Sequence, residues 1–320
     1  MLFAPIVTRI YGPSAYGLMG TFSAIIQIIG PIAAFSYPIA IVLSKDEKDA
    51  NLTIKLSFYV TLFNTILFSL LLYFFHDYIV KTFNLISVSN YFYLIPLIVF
   101  FAGCLQILQQ WLVRNNLFRI SAKAYLVETV LVNSGKLIGG IIYPSASILI
   151  LFTAFRQGIR VILMFIYSKI NNVKEVLSLT TISDMKEVLK QGIKHKDFLI
   201  YRTPEVTLSA LSANIPTLLL TAFFGPVSAG FYSIAKTVLA VPSTLIAQSV
   251  GDVFYPQVVR TAQNKQKITP LIIKSTFYLA VIGLIPYGFI FFFGPWLFGV
   301  VFGEEWIIAG EYARWVKPYR

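Results

Sequence analysis

Long apolar stretches separated by short polar segments run along the whole chain. Many exceed 20 residues, which is the length a helix needs to cross about 30 Å of hydrocarbon. The pattern predicts an all-α membrane protein of about ten spans, with a polar connector at 169–198 between the two halves. We expect the spans at 1–10, 14–43, 52–75, 91–113, 124–143, 146–168, 199–223, 227–250 and 269–296, and a tenth from Trp306.

One short signature occurs twice, once near the start of each half. Tyr11-Gly12-Pro13 is followed by Gly17, and Phe224-Gly225-Pro226 is followed by Gly230, about 213 residues later. A repeat at this distance is typical of transporters built from two similar halves. We therefore predict two pseudo-symmetric bundles of six helices, residues 1–168 and 199–320. The first helix is then partial and the second bundle incomplete.

The charged residues between the spans predict the orientation of the chain. Because basic loops stay in the cytoplasm, the loops after the even-numbered spans should be cytoplasmic. The loops after the odd-numbered spans carry only two basic residues, Arg9 and Lys81. The even-numbered loops carry fourteen: Lys45, Lys48, Arg114, Arg119, Lys123, Lys169, Lys174, Lys186, Lys190, Lys194, Lys196, Arg260, Lys265 and Lys267.

Composition supports this class and excludes others. Hydrophobic residues form 57% of the chain and charged residues 12%, against about 25% charged in a soluble domain. The net charge of +12 is spread over short loops, so it indicates membrane orientation and not nucleic-acid binding. The basic connector has Met185, Val188 and Leu189 at helical spacing, which predicts a tether on the lipid headgroups.

A charge inside a span is costly and usually faces an internal cavity. Lys55 and Lys274 lie close to cytoplasmic span ends and are interpreted as snorkelling residues, which leaves seven charged residues within predicted spans. The bases outnumber the acids, so the cavity should favour an anion such as a phosphate; snorkelling of the bases to the headgroups is the alternative. The acids are candidates for H⁺ or Na⁺ coupling or for simple ion pairs. The bases are Lys136, Arg156, Arg160, Arg202 and Lys236, and the acids are Glu128 and Glu205.

The chain has no pattern typical of an enzyme. It lacks a P-loop and a metal-ligand cluster, and its two histidines, His76 and His195, fall in predicted loops on opposite sides of the membrane. We therefore expect a transporter that needs no cofactor.

Further motifs resemble a known family. They are Leu211-Ser212-Ala213-Asn214-Ile215-Pro216, Ala229-Gly230-Phe231-Tyr232, Val241-Pro242, Gly251-Asp252-Val253-Phe254-Tyr255-Pro256, Tyr37-Pro38 before an acidic loop, and Gly303-Glu304-Glu305-Trp306. Together with the repeated signature, they are similar to bacterial polysaccharide-unit flippases of the Wzx type. That family belongs to the MATE-like multidrug/oligosaccharidyl-lipid/polysaccharide exporter superfamily. The resemblance covers nearly the whole chain.

The resemblance implies a function that the composition alone does not. It implies alternating access between two bundles, and flipping of an undecaprenyl-pyrophosphate-linked oligosaccharide across the bacterial inner membrane for O-antigen or capsule synthesis. The partners would be that lipid, the bilayer and polysaccharide assembly proteins. A drug antiporter of the same fold is the first alternative, although its cavity should be more acidic. A membrane glycan polymerase or ligase is the second, but it calls for a large external loop.

Overall fold

The computed structural model describes residues 3–168, 182–263 and 268–315. This part of the chain is almost entirely helical, contains no strand, and has seven helices long and apolar enough to cross a membrane. The prediction of an all-α membrane protein is therefore confirmed. The α-helices are α1 (Ala4–Ile29), α2 (Ile39–Leu43), α3 (Glu47–Thr82), α4 (Ile95–Arg114), α5 (Phe118–Ile142), α6 (Ala146–Ser168), α7 (Ile182–Lys194), α8 (Thr203–Gln263), α9 (Thr269–Phe302) and α10 (Ile307–Trp315).

Two of these helices are broken at the repeated signature. Gly12 in α1 has φ 68° and ψ 173°, and Gly225 in α8 has φ 82° and ψ 172°. A positive φ is strained for any residue with a Cβ atom, so glycine is required at both points. The prolines that follow these glycines, Pro13 and Pro226, lack the N–H that would donate to the carbonyl four residues earlier in a continuous helix. The breaks therefore fall where the sequence predicts the boundaries between spans one and two and between spans seven and eight.

The second predicted span, 14–43, is not one helix. α1 ends at Ile29, a 3₁₀ turn covers Gly30–Ile32, and Phe35 and Ser36 have positive φ before α2 begins. Pro31 lacks the N–H that a continuous helix needs. The Gly30 and Ile32 carbonyls accept 3₁₀ hydrogen bonds from the Ala33 and Phe35 N–H groups. Each also accepts a bond from a neighbouring helix: Gln106 Nε2 donates to Gly30 O at 2.8 Å, and Asn64 Nδ2 donates to Ile32 O at 2.9 Å.

Contacts at the helix termini sort the loops into two groups. At one end, Arg114 donates to Ser44 O, Lys123 lies over the Tyr167 ring, and α7 pairs with the start of α3. We call this the basic end. At the opposite end, Arg9 donates to Val300 O and Asn84 donates to Ala222 O. These are the same two groups of loops that the charge pattern assigns to opposite sides of the membrane.

The two copies of the signature pack directly against each other near the opposite end. A Cβ atom on Gly17 would collide with the Pro226 carbonyl, and one on Gly230 would collide with the Pro13 carbonyl. Gly20 packs against Ser233 along the same contact, and Thr21 Oγ1 lies 2.5 Å from Thr221 Oγ1. We call this contact between α1 and α8 the seam. Since Gly17 and Pro13 correspond to Gly230 and Pro226 in the repeat, the contact is reciprocal, as across a two-fold axis. The division into two bundles itself stays a prediction.

The described part of the connector is a helix docked on α3. Val188 is buried against Leu56, Lys194 pairs with Asp49 at 2.6 Å, and Lys48 pairs with Glu187 at 2.9 Å. The sequence pattern groups Val188 with Met185 and Leu189 on one apolar face. This grouping is wrong, because Val188 and Leu189 are adjacent and adjacent side chains on a helix point about 100° apart. Met185 and Leu189 instead share an exposed stripe with Ile193.

Candidate functional site

Helices α5 and α6 each carry an exposed apolar face and a polar face. The apolar faces are formed by Leu126, Val130, Ile138 and Ile141 on α5 and by Leu151, Phe155, Ile162 and Ile166 on α6. The charged residues Glu128 and Lys136 lie on the other side of α5, because their helical positions are offset from that apolar stripe. The charges of this helix pair are therefore directed away from the surface that is suited to lipid.

An ion pair joins the polar faces of the two helices. Arg156 Nε donates to Glu128 Oε1 at 2.6 Å. Glu128 is 1% exposed, whereas the Arg156 side chain is 47% exposed. The carboxylate is thus fully enclosed, while the guanidinium still borders open space.

Lys136 links this pair to α1. Its Nζ donates to Thr153 Oγ1 at 2.9 Å and lies 3.5 Å from Met19 Sδ, while the Tyr11 hydroxyl donates to the Lys136 carbonyl at 2.6 Å. Thr153 lies three residues before Arg156 on α6, so the hydrogen bond from Lys136 brings its ammonium group to the helix that carries Arg156. Lys136 therefore belongs to the same electrostatic site.

Arg160 completes the group one turn after Arg156 on α6. Its guanidinium lies over the Tyr125 ring, with 4.9 Å to the centroid, and it is within electrostatic range of Glu128. We call Glu128, Lys136, Arg156 and Arg160 the α5–α6 cluster. Within the described residues, several buried polar atoms around it have no hydrogen-bond partner: Glu128 Oε2, Thr129 Oγ1, Gln157 Oε1 and Arg160 Nε.

Arg156 lies near the middle of its helix. Arg156 is ten residues from the start of α6 and twelve from its end, which is about 15 Å and about 18 Å at 1.5 Å per residue. These distances are greater than an arginine side chain can extend. Snorkelling to the headgroups therefore does not account for Arg156.

The other three predicted site residues lie elsewhere. Lys236 Nζ donates to Ala213 O at 2.7 Å and contacts Asn214 Oδ1 at 3.3 Å, all within α8. Arg202 and Glu205 form an exposed i,i+3 ion pair at the start of α8. Among the contacts of the described residues, none of those made by these three reaches α5 or α6. The structure thus brings together four of the seven predicted residues.

Sequence reasoning missed the polar neighbours of the cluster. Thr153 binds Lys136, and Gln157 and Arg160 follow it at i+4 and i+7 on the same face of α6. That spacing is a signal in the sequence, but Thr153 and Gln157 carry no charge that sets them apart from other polar residues within spans. Tyr125, which lies under Arg160, carries no comparable signal.

Comparison with known proteins assigns the chain to a family. Residues 6–310 match the family described as "Polysaccharide biosynthesis protein". The chain therefore belongs to this family, as the sequence motifs indicate, and is a multi-pass membrane protein with a role in polysaccharide biosynthesis or export. Searches of curated proteins and of solved structures found no match.

Proposed function

We propose that the protein flips a polyprenyl-pyrophosphate-linked oligosaccharide, such as an undecaprenyl-linked O-antigen or capsule unit, across the bacterial inner membrane. The α5–α6 cluster binds the pyrophosphate. The sugars occupy the aqueous space between the halves, and the prenyl chain stays in lipid. No bond of the substrate is made or broken, so the protein acts as a transporter and not as an enzyme.

The observation that carries this proposal is the excess of basic side chains within the predicted spans. The cluster holds three basic side chains and one carboxylate, on faces away from the exposed apolar stripes of α5 and α6. A single cation at the centre of a span costs about 2.5–3.5 kcal/mol on insertion scales. Two uncompensated cations are therefore costly to maintain unless an anionic ligand binds them. A pyrophosphate supplies the missing negative charge and accepts bidentate hydrogen bonds from arginine.

The remaining predicted residues have proposed roles in the same cycle. Lys236 lies on α8 and Arg202 lies immediately before it, and both are candidates to contact the substrate when the halves rearrange. Glu128 and Glu205 are candidates for coupling to H⁺ or Na⁺. The reciprocal contact at Gly17 and Gly230 holds α1 against α8 near the opposite end. This contact supports a state that opens at the basic end, which we propose is the cytoplasmic one.

The net charge also favours this proposal over a drug antiporter, because the common drug substrates of such antiporters are cations and would be repelled by the cluster. A polymerase or ligase is less well supported, since the described connections at the opposite end, such as those at Tyr143 and Gly303, are short.

The test is Arg156→Ala in the full-length protein. Surface polysaccharide should be lost while the amount of protein in the membrane stays normal. Arg119→Ala is the matched control, because Arg119 is exposed at the start of α5 and outside the cluster. Normal polysaccharide export by Arg156→Ala would refute the anion site.

A further inference from the structure

We infer that Glu128 is an internal counter-ion that holds Arg156 in the empty site and that only a multiply charged phosphate displaces it. Glu128 thereby excludes the anionic phospholipids that surround the protein. This inference rests on the proposed function. It gives Glu128 a role in specificity that the charge count alone does not suggest.

The geometry of the ion pair leaves Arg156 ready for exchange. The hydrogen bond to Glu128 uses Nε and one carboxylate oxygen, so it is not the two-point pairing that arginine and carboxylate often form. A guanidinium has five N–H donors in a planar fork. Since the Arg156 side chain is about half exposed, donors other than Nε remain for an incoming phosphate.

Arg160 provides a second place for the displaced carboxylate. Glu128 Oε2 is buried and accepts no hydrogen bond, and the buried Arg160 Nε donates none, among the residues that the structure describes. Arg156 and Arg160 are one turn apart on the same face of α6, so the carboxylate that pairs with Arg156 lies next to the position of Arg160. A change in the Glu128 side-chain rotamer can therefore transfer the carboxylate from Arg156 to Arg160. In the loaded site both unpaired atoms are then satisfied.

This exchange sets a threshold for the ligand. A phosphodiester headgroup such as that of phosphatidylglycerol has one ionised oxygen, no more charge than the carboxylate it must replace. A pyrophosphate has ionised oxygens on both phosphates, so it can engage Arg156 and Lys136 together. A protein group that the wrong ligand cannot displace is a common basis of specificity. The bilayer presents phosphodiester lipids in large excess, so the site needs such a device.

The experiment measures equilibrium binding of radiolabelled farnesyl pyrophosphate to the full-length protein in nanodiscs, with farnesol as the uncharged control. Nanodiscs are prepared with and without phosphatidylglycerol. The wild type should bind equally well in both lipids. Glu128→Gln should bind about tenfold more tightly in neutral lipid, because the competing charge is gone, and should lose that gain when phosphatidylglycerol is present.

Glu311→Gln is the matched control, because Glu311 pairs with Arg314 at i,i+3 outside the cluster. It should behave as the wild type does. Arg160→Gln tests the transfer: it should weaken binding several-fold in the wild-type background and have no effect beside Glu128→Gln. This non-additivity is the signature of two residues that interact. The Arg160→Gln arm also stands alone if Glu128→Gln does not fold.

The outcomes separate the two proposals. If Glu128→Gln binds as the wild type does in both lipids, or if Arg160→Gln leaves wild-type binding unchanged, the counter-ion inference is wrong and pyrophosphate binding remains. If the folded wild type binds farnesyl pyrophosphate no better than farnesol, the proposed function is wrong.

Discussion

The close contact between α1 and α8 at the seam predicts that one added methyl group, in Gly17→Ala, lowers the stability of the protein substantially. In Gly17→Ala the new Cβ atom would overlap the backbone carbonyl of Pro226, and no flexible side chain can move aside to relieve the overlap. The two helices must therefore separate. Overpacking of this kind costs about 1–3 kcal/mol, and the backbone contact favours the upper part of that range. Alanine returns about 0.5–1 kcal/mol through its higher helix propensity. The net expected destabilisation is about 2 kcal/mol.

Two other glycines separate the steric effect from the conformational one. Gly288 in α9 has open space where a Cβ atom would lie, so Gly288→Ala should stabilise the protein slightly. Gly225 also has open space, but its φ of +82° and ψ of 172° fall in a region that only glycine readily adopts, so Gly225→Ala should cost about 1–3 kcal/mol through backbone strain alone.

The assay is thermal unfolding of the purified full-length variants in one detergent, followed by intrinsic fluorescence at a fixed scan rate. The half-unfolding temperature of Gly288→Ala should be at or slightly above that of the wild type, and those of Gly225→Ala and Gly17→Ala should both be lower. A Gly17→Ala protein as stable as the Gly288→Ala protein would refute the tight reciprocal contact.

Three further predictions concern the seam, the topology and the connector. Cysteines replacing Thr21 and Thr221 should cross-link on mild oxidation and block polysaccharide export until reduced, since the hydroxyl oxygens lie 2.5 Å apart; export by the fully cross-linked protein would show that the seam need not open. A cysteine at Asn116 should resist an impermeant thiol reagent in intact cells and one at Asp77 should react, and the reverse pattern would invert the topology. A fluorophore at Leu189 should be quenched by nitroxide-labelled lipids, because this exposed α7 residue is expected to lie in the headgroup layer; no quenching would place the stripe in water or under another protein.

Local features of the sequence determined the class and the positions of the main breaks. Apolar runs longer than 20 residues require a membrane or a large core, and the length of each run limits what it can span. Glycine at Gly12 and Gly225 permits a positive φ, and the proline after each prevents a continuous helix, so both breaks were predictable from two adjacent residues. The charge asymmetry of the loops is likewise visible in the sequence and does not depend on how the helices pack.

Tertiary packing decided which charges form a site. Glu128, Lys136, Arg156 and Arg160 were predicted as candidates, but so were Arg202, Glu205 and Lys236, because a linear sequence shows only that a charge lies within a span. Only the packing of α5 on α6 brings Glu128 to Arg156, and only the contact with α1 places Lys136 beside Met19. The break after Ile29 has a local cause in Pro31, but the contacts that stabilise it do not. Gln106 and Asn64 are distant in sequence, so their hydrogen bonds to Gly30 O and Ile32 O form only in the folded protein.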